Sequence, residues 1–160
     1  MKNSQALAEA FKKESFRIIT NGTDNHLFVW DIRNTLVNER LSAAKFEKVL
    51  DFCGISTNKN YIPSDSSMKP HGIRIGLLAM TSRGMKETDM AQIAKFFMQV
   101  YQLLRHFPLS AKDQKLQDFI FDLHKNEEYE FIRHELQKIK EQIELFVESY
   151  EIPGQSYLQD

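Results

Sequence analysis

The spacing of apolar residues changes from helical to extended near residue 16. Residues 4–13 predict a short helix that Asn3 or Ser4 can cap. Its apolar face is formed by Leu7, Ala8 and Phe11. The runs 16–20 and 27–33 are rich in aromatic and β-branched residues and predict strands. Because the turn signal Asn21-Gly22 separates these runs, we expect an antiparallel pair.

A helical period returns after Ser42, which predicts the N-cap of a second helix. Apolar residues then follow at i, i+3, i+4 and i+7, namely Phe46, Val49, Leu50 and Cys53. Gly54 stands where such a helix ends. Residues 55–85 hold three of the six glycines and two of the four prolines, so they predict loop with one short strand at 73–75. Loops on a rigid scaffold often carry binding groups, which makes this segment the first place to look for chemistry.

The second half of the chain predicts three helices. The first spans 87–105, and Ser110 with Asp113 opens the next in the manner of a capping box. The longest spans 127–150, and its apolar spacing imitates a heptad seam. The repeat is too short for a sustained coiled coil, which favours a long helix packed on its own domain.

Strands confined to the first half and helices filling the second predict an α+β fold. We expect a small antiparallel sheet of about three strands covered by helices, with a helical C-terminal half. Residues 1–150 are expected to form a single domain. Residues 151–160, which include Pro153-Gly154, are expected to form a tail.

Composition excludes several classes of protein. Lys plus Arg is 21 and Asp plus Glu is 22, with no basic stripe, so a nucleic-acid partner is not expected. Apolar runs are too short for a membrane span, and the polar start lacks the core of a signal peptide. Cys53 is the single cysteine, which excludes an internal disulfide and a cysteine-built zinc site. A reducing, cytoplasmic location is the default expectation.

Few residues point to metal or nucleophilic chemistry. The five histidines are scattered and no pair shows metal-ligand spacing, so no metal site is predicted. Cys53 lies on the apolar stripe of its helix and is expected to be a buried, inert thiol. Catalytic residues of this kind are therefore not predicted in the chain.

The segment 71–76, His-Gly-Ile-Arg-Ile-Gly, is the strongest candidate for a binding site. If it is a strand, the isoleucines point to one face and Arg74 to the other, with Gly72 and Gly76 leaving open space around the guanidinium. Such a fork of donors suits bidentate capture of a carboxylate or phosphate. The pattern alone also describes a solvent-facing arginine on an edge strand, and it favours that simpler interpretation.

Several segments, taken in order, carry a family resemblance. They are Phe16–Ile19 leading through Asn21–Leu27, then Gly54-Ile55 with Asn58-Lys59-Asn60 and Ile62-Pro63, then Gly72–Gly76, and Thr81 with Arg83–Met85. Alone, the Asn-Lys-Asn motif indicates only a polar turn and the last segment only a helix entry. Together, over residues 5 to about 105, they resemble the C-terminal domain of serine hydroxymethyltransferase, also called glycine hydroxymethyltransferase.

The resemblance implies the small domain of a fold-type I enzyme that uses pyridoxal phosphate and tetrahydrofolate. Such an enzyme interconverts serine and glycine and passes a one-carbon unit to folate, and the cofactor acts as an electron sink. The resemblance assigns Arg74 to the substrate carboxylate and Asn60 to folate. It gives supporting roles to Thr23, Asp24, Asn25, His26, Gly72, Gly76 and Arg83.

The resemblance also implies that a larger domain is missing. That domain carries the Schiff-base lysine and the phosphate site in the family, and no lysine here has the corresponding Thr-rich context. We therefore expect the chain alone to be inactive and to bind pyridoxal phosphate negligibly. Its expected partner is the large domain, from the same gene or a split one, with a homo-oligomer also possible.

The sequence departs from the family pattern beside the substrate arginine. His71 replaces a small hydroxyl residue, Leu77-Leu78 replaces a Thr/Ser-Pro pair, and the loop from Asn60 to Arg74 is a residue or two short. These changes fit a diverging copy. They leave a second hypothesis open, a non-catalytic remnant that acts as a binding or interaction module. In either case, loss of the large domain is expected to uncover apolar surface.

Overall fold

The computed structural model of the chain describes residues 1–66 and 68–152. The helices are α1 (Lys2–Lys13), α2 (Leu36–Arg40), α3 (Ala43–Phe52), α4 (Leu78–Ser82), α5 (Met90–Leu103), α6 (Leu116–Lys125) and α7 (Glu130–Glu148). The strands are β1 (Arg17–Ile18), β2 (Leu27–Asp31), β3 (Asn58–Asn60) and β4 (Gly72–Gly76). Most of the predicted tail, residues 153–160, lies outside the described residues.

The strands form one antiparallel sheet in the order β1-β2-β4-β3. The predicted α+β class is confirmed, and so is the antiparallel pairing of β1 with β2. The prediction of about three strands missed β3, because its Asn-Lys-Asn motif alone indicates only a polar turn. Asn and Lys have low strand propensity, and this edge strand forms because its backbone pairs with β4 and because Lys59 N donates to Glu47 of α3 at 3.0 Å.

The central strands bury one face against helices. Trp30 pairs with Ile73, and Phe28 pairs with Ile75, so the apolar side chains of β2 and β4 share a side of the sheet. Phe11 of α1 packs on this side with ring centroids 5.3 Å from Phe28 and 5.4 Å from Trp30. Helix α5 lies behind α1, which completes the core beneath the sheet.

Helix α3 follows its sequence signals closely. The Ser42 side chain accepts a hydrogen bond from Lys45 N, and Gly54 after the helix has φ +80°. Both capping predictions are therefore confirmed. The N-cap oxygen satisfies a backbone amide that has no partner within the helix. Glycine adopts the positive φ after the helix without strain.

The predicted start of the helix after Ser110 is wrong. Residues 109–112 form a 3₁₀ turn, in which Asp113 N donates to the Ser110 carbonyl at 3.1 Å, and α6 begins only at Leu116. Short 3₁₀ turns also occupy 87–89, 104–106 and 127–129, where single helices were predicted to continue. Helix α7 packs on α3, α5 and α6 of the same chain, as the non-coiled-coil interpretation predicted.

Candidate functional site

Arg74 stands on the open face of β4. Ile73 and Ile75 are buried on the opposite face, whereas Arg74 is exposed, as strand alternation predicted. Across residues 1–66 and 68–152, no carboxylate forms an ion pair with its guanidinium. An arginine in this setting keeps its donors available for an anionic ligand.

Asn58 orients this arginine from the neighbouring strand. The register places Asn58 directly opposite Arg74, so both side chains lie on one face. In the amide orientation that satisfies both groups, Arg74 Nη2 donates to Asn58 Oδ1 at 2.8 Å, and Asn58 Nδ2 donates to the Thr57 carbonyl at 2.9 Å. No role was predicted for Asn58 from the sequence, because the pairing of β3 with β4 that brings it to Arg74 was not predicted.

The two glycines flanking Arg74 differ in their surroundings. A Cβ on Gly76 would meet no heavy atom within 4 Å, which leaves the predicted open space. A Cβ on Gly72 would lie 2.7 Å from the Asn60 carbonyl oxygen and 2.8 Å from Val29 Cγ1. The expectation of open space on the Gly72 side is therefore wrong. Strands β3 and β2 approach position 72 so closely that they leave no room for a side chain larger than that of glycine.

Alanine at position 72 is expected to destabilise the chain by about 1–3 kcal/mol, because the added methyl overpacks this contact. Alanine at position 76 should change the free energy of unfolding by less than about 0.5 kcal/mol. Urea unfolding followed by the fluorescence of the single tryptophan, Trp30, measures both variants. Equal losses at Gly72→Ala and Gly76→Ala would show that the close approach at Gly72 carries no special cost.

Asn60 lies at the end of β3 and opposite Gly72. Since partners in register share a face, its side chain belongs to the same face as Arg74. Its Nδ2 donates to the Tyr61 carbonyl at 2.7 Å. The Asn60 side chain also has an amide oxygen, which is a hydrogen-bond acceptor.

The buried carboxylate of Asp65 holds the loop that joins β3 to β4. Its Oδ2 accepts from Ile62 N and His71 N, both at 2.9 Å, and its Oδ1 lies 2.7 Å from His71 Nδ1. Burial raises the pKa of Asp65, but these hydrogen bonds and the His71 ring outweigh it and hold the pKa below its usual value. His71 thus closes the loop between β3 and β4.

The Thr23–His26 loop shapes the edge of the sheet where β2 begins. Thr23 Oγ1 donates to the Leu27 carbonyl at 2.5 Å, and Leu27 N donates to Asn25 Oδ1 at 2.9 Å. The His26 carbonyl accepts from Leu77 N at 2.9 Å, which ties the loop to the end of β4. Asp24 and His26 have exposed side chains.

The first turn of α1 joins this loop to α4 and to the segment that follows it. Ser4 Oγ hydrogen-bonds to the Asn25 carbonyl, and the buried Asn3 donates to Thr81 Oγ1 at 3.1 Å and to the Met85 carbonyl at 2.8 Å. From the sequence, these two polar residues were predicted only as helix caps. The signal that could have shown more is their position on the buried face of the helix, in line with Leu7, Ala8 and Phe11.

Arg83 anchors the end of α7 rather than facing the site as a free cation. Its Nη2 donates to the Val147 carbonyl at 2.7 Å and to the Tyr150 carbonyl at 3.0 Å. Carbonyls at a helix C-terminus lack partners within the helix, and a guanidinium satisfies them well.

A cleft of about 740 Å³ opens beside Arg74. We name it the α4–α7 cleft, since its walls are β4, segment 53–58, α4, α5 and α7. Its polar end contains His26, Asn58 and Arg74, and the remainder is mainly apolar. Its volume is in the range of small-molecule sites.

Neither thiol nor metal chemistry is supported in the described part of the chain. Cys53 is fully buried, as predicted, and burial raises its pKa to about 12. No group of three or more His, Cys, Asp or Glu among residues 1–66 and 68–152 is placed to hold a metal ion. None of the helices in the same residues is long and apolar enough to cross a membrane.

Comparison with known proteins gives one consistent family. The family model described as serine hydroxymethyltransferase matches residues 1–97. Serine hydroxymethyltransferase 4 of Arabidopsis thaliana is 39% identical over 158 residues, covering 95% of this chain and 30% of the relative. The Caenorhabditis briggsae and Borrelia garinii serine hydroxymethyltransferases are 36% and 41% identical, covering 96% and 76% of this chain and 29% of each relative. The chain thus spans about 30% of the length of these relatives.

Proposed function

The chain belongs to the serine hydroxymethyltransferase family, and we propose that it forms the part of such an enzyme that binds the carboxylate of serine and contacts folate. The proposed complete reaction converts serine and tetrahydrofolate to glycine and methylenetetrahydrofolate. We place this enzyme in the cytoplasm, which is where a chain with a single buried thiol and no disulfide is expected.

The exposed guanidinium of Arg74 is the observation that carries this proposal. It lies on the open face of β4, is oriented by Asn58, and has no carboxylate partner among the described residues. Two parallel N–H donors can bind both oxygens of an amino-acid carboxylate, which fixes the position as well as the orientation of the substrate. Asn60, on the same face, is proposed to offer its amide to the folate.

The loops around Arg74 are proposed to hold the binding face in shape. The Thr23–His26 loop, Asn3 and Ser4 connect β2, α1 and α4 by hydrogen bonds. A site held by packed elements and hydrogen-bonded loops needs little reorganisation when the substrate binds. These residues position the site and are not proposed to contact the substrate.

Pyridoxal phosphate supplies an electron sink for the amino acid in the complete enzyme. Two of the described lysines, one buried and one in the cleft, already have partners for their ammonium groups. Lys45, which is buried, donates from Nζ to the carbonyls of Ala111 and Lys112 at 2.5 and 2.7 Å. Lys140, which lines the α4–α7 cleft, lies 3.9 Å from Glu144. We therefore propose that the cofactor-binding lysine belongs to a large domain within the other 70% or so of the relatives' length, and that the chain alone is inactive.

A grafted enzyme, in which this chain replaces the matching segment of the Arabidopsis relative, tests the proposal. We expect it to cleave serine in the presence of tetrahydrofolate. The isolated chain should show no turnover and no borohydride-trappable adduct with pyridoxal phosphate. A folded but inactive grafted enzyme would favour the alternative of a non-catalytic binding module. A stoichiometric adduct on the isolated chain would show that the cofactor lysine is in this chain after all.

A further inference from the structure

The Asp65 carboxylate joins the two ends of the segment between β3 and β4. Its side chain is 2% exposed and accepts hydrogen bonds from Ile62 N and His71 N, both at 2.9 Å. His71 Nδ1 lies 2.7 Å from the other carboxylate oxygen, and since a carboxylate only accepts, this nitrogen carries the proton. Donors from both ends of the segment thus meet on one charged group, which fixes the distance between those ends.

The Asp65–His71 pair determines where β3 ends. It holds the amide of Ile62, which follows Asn60 by two residues. It also holds the amide next to Gly72, and Gly72 is the register partner of Asn60. Ile62 is 6% exposed, and its Cγ2 would lie 2.7 Å from a Cβ on Gly72. The residue after β3 is therefore packed tightly against the first residue of β4.

A neighbouring arginine favours the same arrangement from the side of β2. Arg33 Nη1 donates to the Pro63 carbonyl at 3.2 Å, and its positive charge attracts the Asp65 carboxylate. Arg33 is itself held by Asp31, whose Oδ2 lies 2.7 Å from Nη2. The segment is thus tied to the sheet in addition to being closed on itself.

The two ends of β3 are held by different contacts. At the first end, Lys59 N donates to Glu47 of α3, and Asn58 contacts Arg74 across the strand pair. At the other end, the Asp65–His71 pair holds the backbone that follows Asn60. An edge strand of three residues, all Asn or Lys, has little stability of its own, so each end depends on its own contacts.

We propose that the Asp65–His71 pair positions the folate contact: it holds the end of β3 so that the Asn60 amide is presented to folate, without touching either ligand itself. The inference rests on the proposed function, since it takes Asn60 as the folate contact. Loss of the pair should weaken the binding of folate. It should leave the binding of the serine carboxylate intact, because Arg74 and Asn58 are held at the other end of β3.

Substitutions at position 71 test whether the hydrogen bond to Asp65 has this role. His71→Asn keeps an N–H donor at the place of Nδ1, whereas His71→Leu removes the donor and keeps much of the volume. In the grafted enzyme, His71→Leu should raise KM for tetrahydrofolate about tenfold, while KM for serine stays within about twofold. His71→Asn should keep both KM values within about threefold of the parent. His71→Gln, whose amide is one methylene further out, replaces the leucine variant if that does not fold.

Two further measurements complete the test. His134→Leu is the matched control, because His134 is exposed on α7, and it should change neither KM. In the isolated chain, amide hydrogen exchange at Ile62 should be at least about tenfold faster in His71→Leu than in His71→Asn, with the amides of β2 unchanged in both.

An active grafted enzyme whose KM for tetrahydrofolate does not respond to His71→Leu would overturn the folate role and retain the proposed function. Equal rises in both KM values would also overturn it, since the pair would then shape the whole site. So would an asparagine variant as impaired as the leucine variant, because the donor would then not be what matters. If the parent grafted enzyme has no turnover, the proposed function fails, and the folate role of the pair fails with it.

Discussion

Replacing Arg74 by alanine in the grafted enzyme is expected to lower kcat/KM for serine by about 100-fold. The variant removes two charge-assisted hydrogen bonds to the substrate carboxylate, together worth roughly 3 kcal/mol. Much of the loss should be in KM, because the carboxylate is bound in the ground state as well as during the reaction. Arg74→Lys should recover only part of the loss, since an ammonium group retains the charge but not the planar fork.

Arg105→Ala is the matched control for this result. Arg105 is an exposed arginine in the 3₁₀ turn after α5 and does not line the cleft. Its removal should change kcat/KM by less than about twofold, as for an exposed charge outside a site. A grafted enzyme in which Arg74→Ala is as active as Arg105→Ala would contradict the assignment of Arg74 to the substrate carboxylate.

The sequence predicted the central elements of this site because their periodicity is strong. Alternation in β4 placed Arg74 opposite the face of Ile73 and Ile75, and the structure has that arrangement. Helix α3 was predicted with its cap and its end, since Ser42 and Gly54 act through local backbone geometry. Local signals of this kind need no knowledge of distant parts of the chain.

Several features that depend on long-range contacts were not predicted. Strand β3 has weak propensity and exists because β4 lies beside it, so Asn58 could not be placed against Arg74. Gly72 was interpreted as open space because the approach of Asn60 and Val29 depends on the same pairing. The buried hydrogen bonds of Asn3 join residues about 80 positions apart, and a single sequence shows only that the side chain is polar.

The packing of α1 against the sheet makes a second large effect measurable. Phe11 is 2% exposed, and its ring centroid lies within 5.8 Å of those of Phe16, Phe28, Trp30 and Phe97. Phe11→Ala is expected to lower the free energy of unfolding by about 3–5 kcal/mol, since it removes a buried ring and leaves a cavity between helix and sheet. Small domains are stable by only about 5–15 kcal/mol, so the variant should be close to unfolding.

Trp30 reports this change directly, because it is fully buried, contacts Phe11 and is the single tryptophan of the chain. Urea unfolding should show the midpoint fall by more than about 1 M for Phe11→Ala. Phe11→Leu should lose roughly half as much free energy of unfolding, and it keeps the measurement possible if the alanine variant does not fold.

Phe121→Ala, at a ring that is 66% exposed on α6, should stay within about 0.5 kcal/mol of the parent chain. Similar losses at Phe11 and Phe121 would mean that the aromatic cluster beneath the sheet is not where the stability of the binding face originates. A large loss confined to Phe11 would show that α1, which also carries Asn3 and Ser4, is held in place by that cluster.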